Sequence, residues 1–272
     1  MLAPVVAVVV GAAGWRFPFP RIFDRTIMAT MALAMLVCAR RLELWKLMRE
    51  GFSGSAREST ARFLRGLAVS LAAIGFLTAL ALAVGAGGIG SFGGVVSRVP
   101  KYLLSAIVIA AIEEAFFRAF LLGGMKADLG ARIALIASAA IYALAHLVRS
   151  PAKFYVAGYS PMAGLATLAH SGDQLGHPAT AIPVLFGLFL LGIVLGEAFL
   201  LTGSVYLSMG LHAGFVLGAK LWPKIVLGRG ALPWWIAGAG PVPMIGGAAA
   251  WTVAIVVLLL LKPLAGVRRQ SA

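Results

Sequence analysis

The sequence predicts an all-α protein, a polytopic transmembrane helical bundle of about eight spans (six to eight) in a single domain. Three observations carry this. The chain is 61% hydrophobic and only 12% charged, and its mean hydropathy is +0.97. Several apolar runs approach the roughly 20 residues a helix needs to cross a hydrocarbon core. Those runs lack the two-residue alternation of barrel strands, so helices must satisfy their backbone polar groups.

The spans fall at 1–15, 26–39, 66–86, 101–124, 131–148, 181–202, 204–221 and 243–261. The first two are short, and Arg16, Arg21 and Arg25 between them suit an interfacial hairpin as well as a full crossing. No repeat of fixed period and no polar linker divides the chain. Three stretches differ in character: 1–100, N-terminal transmembrane helices with a basic connector at 40–65; 101–221, a core carrying the buried polar residues; and 222–272, an aromatic loop, a last helix and a basic tail. Glycine-rich Gly85 to Gly94 reads as a loop. Arg149 to Thr180, with Pro151, Pro161, Gly172 and Pro178, has room for an interfacial helix or a lid. Trp222 to Pro243, with Trp234 and Trp235, reads as an interfacial aromatic belt.

A net charge of +14 would suit a nucleic-acid partner, but most of the 23 basic residues fall between spans or near their ends. That pattern reports topology and excludes nucleic acid. The largest cluster, Arg40, Arg41, Lys46, Arg49, Arg57, Arg62 and Arg65, is interleaved with Glu43, Glu50 and Glu58. It reads as a cytoplasmic amphipathic segment on anionic lipid. Lys262, Arg268 and Arg269 favour the cytoplasm too, and an even number of spans then puts both termini inside. A bacterial inner membrane fits this bias. Met1 to Trp15 has no basic n-region, which argues against a cleaved signal peptide. Cys38 is the sole cysteine and has no intrachain partner.

Within these spans, Glu113 and Glu114 interrupt an apolar run, where ionisable groups persist mainly because they pair, line a wet cavity or perform chemistry. Glu114 lies four residues before Arg118, the favourable orientation for a helical ion pair. Glu113 lies about 100° around the helix and lacks that partner. His146 follows Tyr142 by four residues, so the two share a helix face and the aromatic ring can fix the imidazole. His212 lies inside a span among Gly210, Gly214 and Gly218, whose four-residue spacing lets helix backbones approach closely, as does that of Gly192 and Gly196. A buried carboxylate, a second carboxylate braced by arginine and two histidines suffice for acid-base hydrolysis. The carboxylate and one imidazole hold and deprotonate water, and the other imidazole donates to the oxyanion. Glu197 is a further membrane acid, able to pair with Arg118 or a histidine, to touch substrate, or to reach water near Thr202.

Glu113-Glu114-Ala-Phe-Phe-Arg118, Tyr142-Ala-Leu-Ala-His146 and Leu211-His212-Ala-Gly lie in order on separate spans. At these residues, over about 101–221, the chain resembles the CAAX protease and bacteriocin-processing (Abi) family of intramembrane proteases. The resemblance implies an intramembrane endopeptidase of the glutamic type acting on a membrane-anchored, lipidated or hydrophobic-tailed peptide. It makes Glu113, with His146, the water-activating base and His212 the oxyanion stabiliser, with Glu114 and Arg118 bracing. One departure stands out: the family carries Asn or Asp four residues after the last histidine, where this chain has Val216, and the chain contains no asparagine. Ser208 or Tyr206 could supply the missing donor; otherwise the chain is a catalytically silent relative acting as an immunity or scaffold protein. A proton-coupled transporter using Glu113, Glu114 and Glu197 is the rival from another class.

Glu113, His146 and His212 could supply the ligands of a catalytic zinc, but HExxH is absent and a metal-free glutamate mechanism is favoured. His170, Asp173 and His177 form a second candidate ligand cluster, read as solvated loop residues.

Overall fold

The computed structural model describes residues 2–41, 45–85, 88–89, 92–147, 154–156, 158–171, 173–227, 233–238 and 244–265. Its helices are α1 (Leu2–Ala12), α2 (Phe19–Arg41), α3 (Trp45–Gly51), α4 (Ala56–Ala83), α5 (Phe92–Val96), α6 (Val99–Glu114), α7 (Gly123–Leu147), α8 (Pro161–Ser171), α9 (Pro178–Thr202), α10 (Tyr206–Ile225), α11 (Trp234–Ala237) and α12 (Ala248–Leu264). Between α6 and α7 the backbone continues as a π-helix, Ala115–Leu122. One two-residue antiparallel pair, Gly88 with Leu227 and Ile89 with Val226, ties two connections together. Apart from that clasp, the secondary structure of the described residues is all helical. The length and composition of α2, α4 and α9 suit a membrane crossing. At 11 residues, α1 rises roughly 17 Å, well short of a hydrocarbon core.

Helix α4 starts at Ala56, ten residues before the span expected at 66. Ser55 caps it by accepting from the Glu58 backbone N–H, with the Ser-x-x-Glu spacing of a capping box. Arg57, Arg62 and Arg65 therefore occupy the first turns of a 28-residue helix rather than a separate connector. Arg62 reaches across to the Ser204 hydroxyl at 2.9 Å and the Thr202 carbonyl at 3.3 Å, tying α4 to the end of α9.

The contact between α4 and α10 is backbone against backbone. A Cβ on Gly210 would fall 2.0 Å from the Phe63 carbonyl oxygen, and one on Gly66 would fall 2.4 Å from that of Leu207. Such an approach leaves no room for a side chain. On α9, Gly192 meets Ala139 of α7 in the same way. The break expected between residues 124 and 131 is Gly130, whose φ of 74° interrupts α7.

Around this centre, Val194, Leu195, Leu207, Leu211, Val257 and Leu261 join α9, α10 and α12. Met35 and Ala39 of α2 pack on Ala115, Phe116 and Phe120 of the π-helix. The expected aromatic belt is only partly at the surface: Trp234 is exposed, whereas Trp222 is buried against Leu77, Ala81 and Ile236. Part of the long connection folds as α8 and a 3₁₀ turn, Asp173–Gly176. Glu43, Arg149, Arg268 and Arg269 lie outside the described residues, as do parts of Gly85 to Gly94.

Candidate active site

Glu113 and Glu114 are the last two residues of α6, and at that point the helix widens into the π register. A π turn loosens the backbone hydrogen-bond ladder, and such turns gather at functional sites. Here the Ser138 hydroxyl of α7 donates to the Phe117 carbonyl at 3.2 Å, inside the widened segment. Phe117 and Tyr142 pack edge to face at 5.1 Å, holding α7 on the π-helix. On the other side, Ala106 and Ala110 of α6 meet Ala213 and Leu217 of α10. Small residues at both contacts bring three helices close enough for their polar groups to meet.

Glu114 and Arg118 are fully buried and His212 almost so. His212 Nδ1 lies 2.9 Å from Glu114 Oε1, and Arg118 Nε lies 3.4 Å from Glu114 Oε2. Glu114 thus joins an imidazole on α10 to a guanidinium on its own helix. Among the described residues Arg118 Nη1 and Nη2 have no hydrogen-bond partner; the guanidinium lies over the Tyr142 ring, 5.1 Å from its centroid. That face offers a buried cation part of the stabilisation its unmet donors lack.

Glu113 is not the isolated carboxylate its helical spacing suggested. Its Oε2 lies 3.4 Å from His146 Nε2 and 3.6 Å from His212 Nε2. His146 Nδ1 is 2.9 Å from the Tyr142 carbonyl oxygen. A carbonyl only accepts, so Nδ1 carries the proton and Nε2 is the atom left to face Glu113. Tyr142 also stacks near both imidazoles, its centroid 4.2 Å from that of His146 and 6.1 Å from that of His212. The side chains of Glu113 and His146 remain 15% and 30% exposed, so this edge of the cluster is the one open to water or substrate.

The structure brings together Glu113, Glu114, Arg118, Tyr142, His146 and His212 and leaves Glu197 apart. Glu197 is half-buried on α9 and, among the described residues, has no hydrogen bond or ion pair with Arg118 or either histidine. Ser208 is buried one turn before His212 and donates to the Val205 carbonyl, whereas Tyr206 donates to the Phe52 carbonyl at the surface. Val216 packs among apolar residues against α6. Sequence reasoning missed the Glu114–His212 pair and Ser138; no local spacing signals either. Two further cavities lie elsewhere, one at the start of α4 and one apolar between α4, α9, α10 and α12. Among the described residues no group of three or more His, Cys, Asp or Glu is placed to hold a metal ion. In the long connection, His170 pairs with Asp173 at 2.8 Å on the surface.

A family model described as "Type II CAAX prenyl endopeptidase Rce1-like" matches residues 95–218, the stretch that contains every residue of this cluster. Over that segment the chain is similar to the Rce1-like domain of the CAAX protease family. No curated protein and no solved structure matches it. The matched segment runs from the end of α5 into the second half of α10, so α4, which seats α10, lies outside it. The similarity of this segment supports a CAAX-type intramembrane endopeptidase at family level, and the apolar helices agree with an integral membrane protein.

Proposed function

We propose that the chain hydrolyses a peptide bond of a membrane-associated substrate with a lipidated or hydrophobic tail, by the glutamic-type route. The observation that carries this reading is the position of Glu113 Oε2 within 3.4 Å and 3.6 Å of two imidazole Nε2 atoms from different helices. Glu113, flanked by His146, takes a proton from water, and the hydroxide attacks the scissile carbonyl. His212, whose Nδ1–H is given to Glu114, donates Nε2–H to the oxyanion as an imidazolium. Glu113 and Glu114 carry two negative charges, and Arg118 with that imidazolium carries two positive ones, so the buried set is neutral when poised. Collapse of the tetrahedral intermediate breaks the C–N bond, and the proton held at Glu113 passes to the leaving amine.

The metal-free route is preferred to a catalytic zinc because Glu113 and the two imidazoles can activate water by themselves. Val216 in place of the family's Asn or Asp motivates the second reading, a catalytically silent immunity or scaffold protein. A proton-coupled transporter is less well supported, since Glu197 stands apart from the other two acids. The basic-loop pattern supports a bacterial inner membrane, about eight spans and cytoplasmic termini.

The test is cleavage of a lipidated tail peptide by the purified full chain in detergent or lipid nanodiscs. Wild type should cleave, and Glu113→Gln should lose on the order of 10²–10⁴-fold in rate while unfolding at the same temperature. An inactive wild type favours the silent reading; an active Glu113→Gln removes Glu113 as the base.

A further inference from the structure

The first turns of α4 carry a basic cleft that the hydrolytic reading does not use. A cavity of about 420 Å³ opens there, lined by Arg57, Glu58, Arg62 and Arg65 of α4 and by Ala265 just beyond α12. Glu58, Arg62 and Arg65 share one helix face at these spacings, and Arg57 lines the cavity from about 100° around the helix. Further along that face, Val69 and Ala73 pack against α12 residues of the central core, so the cleft is the polar mouth of an otherwise dry seam between the two helices.

The charges there are unequally committed. Arg62 is held by Glu58, Ser204 and Thr202. Arg57 and Arg65 are exposed and, among the described residues, have neither hydrogen bond nor ion pair. Glu58 offsets Arg62, which leaves two positive charges facing the cavity. Arg57, in the first turn of α4, also opposes the helix macrodipole, which favours negative charge at that end. A bound anion would relieve both conflicts.

Position decides which anion. From Gly66 to Ala83 α4 carries no charge, so Arg57 and Arg65 lie at the boundary between apolar helix and water, where phospholipid phosphates lie. Leu64 and Leu71 on α4 and Leu259 and Leu260 on α12 are exposed, so both helices present apolar surface suited to acyl chains. We infer that this cleft binds the phosphate headgroup of an anionic phospholipid, with the chains lying along α4 and α12.

Native mass spectrometry of the full chain, released from detergent after incubation with phosphatidylglycerol or with phosphatidylcholine of the same acyl chains, tests this directly. One phosphatidylglycerol should be retained in preference to phosphatidylcholine. The Arg57→Gln/Arg65→Gln double variant should bind it roughly thirtyfold more weakly, and millimolar inorganic phosphate should not displace it. Equal retention of the two lipids, undiminished retention by the double variant, or displacement by inorganic phosphate would each overturn the assignment. The single Arg65→Gln variant, changed at an exposed side chain without a partner, serves the same comparison if the double variant does not fold. Peptide cleavage measured in parallel keeps the two proposals separate, since lipid retention does not depend on hydrolysis.

Discussion

His212 and Glu114 are 98 positions apart in the chain, yet the imidazole Nδ1 of one lies 2.9 Å from a carboxylate oxygen of the other. The pair fixes which nitrogen of His212 faces Glu113. It also holds a carboxylate between a histidine and Arg118, all of them out of water. Glu114→Gln keeps the shape but presents either an amide oxygen or an NH₂ group to Nδ1, and it leaves the Arg118 charge buried without a counter-ion. Removing one partner of a buried pair costs about 3–5 kcal/mol. The unfolding temperature of this variant should therefore fall clearly below that of Glu113→Gln, with cleavage reduced at least about 10²-fold. Equal unfolding temperatures for the two variants would show that Glu114 is not the structural member of the pair.

Tyr142 acts through its ring and its backbone carbonyl rather than its hydroxyl. The ring contacts both imidazoles and the Arg118 guanidinium, and the carbonyl accepts from His146. Tyr142→Phe keeps all of these and should cleave within about threefold of wild type. Tyr142→Ala removes a buried ring, at a cost of roughly 3–5 kcal/mol by analogy with other aromatic truncations, and should lose most activity through a freed His146. A large loss in the phenylalanine variant would instead assign the phenol a direct part in the chemistry.

Chelator treatment separates the two hydrolytic routes. If Glu113 and the histidines activate water unaided, cleavage should continue undiminished after dialysis against EDTA, and added zinc should not raise it. Activity that vanishes with chelator and returns with zinc would replace the glutamic route by a metal-assisted one.

The parts of this site legible in the sequence are those set by spacing along one helix. Glu114 with Arg118, and Tyr142 with His146, are four-residue relations, and both are present. The pairing of Glu113 with two imidazoles is tertiary and leaves no such mark. The π register is equally silent, because Ala115-Phe-Phe-Arg-Ala-Phe-Leu-Leu122 is as apolar as the helix it continues. At α4 two signals compete: Ser55 and Glu58 carry the capping-box spacing of a helix start, yet Arg57, Arg62 and Arg65 give the segment the composition of a surface connector. The glycine ladder on α10 was readable as close packing, while its partner, α4, was not.

That ladder positions the site from outside it. A methyl group at Gly210 would meet the Phe63 backbone, which cannot rotate away as a side chain could, so α10 must separate from α4. Gly210→Ala should lower stability by about 1–3 kcal/mol, read as a drop in unfolding temperature. Because α10 carries His212, cleavage should fall more than stability alone explains, measured at a temperature where the variant remains folded. Gly203→Ala makes a poor control, since that residue adopts φ 63° at the end of α9. Gly75, with nothing within 4 Å of its added Cβ, is the better one, and Gly75→Ala should leave cleavage unchanged.

Glu197 distinguishes the protease from the transporter. A relay needs its acids within proton-transfer reach of one another, whereas Glu197 lies on α9 and makes no ion pair with the Arg118 and histidine cluster among the described residues. The helix face behind it is taken up by α7: Gly192 meets Ala139, and Gly196 meets Leu135. Glu197→Gln should accordingly keep peptide cleavage within about twofold of wild type, since surface or peripheral changes of this kind seldom alter more than a few tenths of a kcal/mol. Proteoliposomes loaded with a pH-sensitive dye should show no substrate-driven acidification in either protein. A Glu197→Gln variant that cleaves normally but abolishes a measured proton flux would make transport the primary activity and hydrolysis incidental to it.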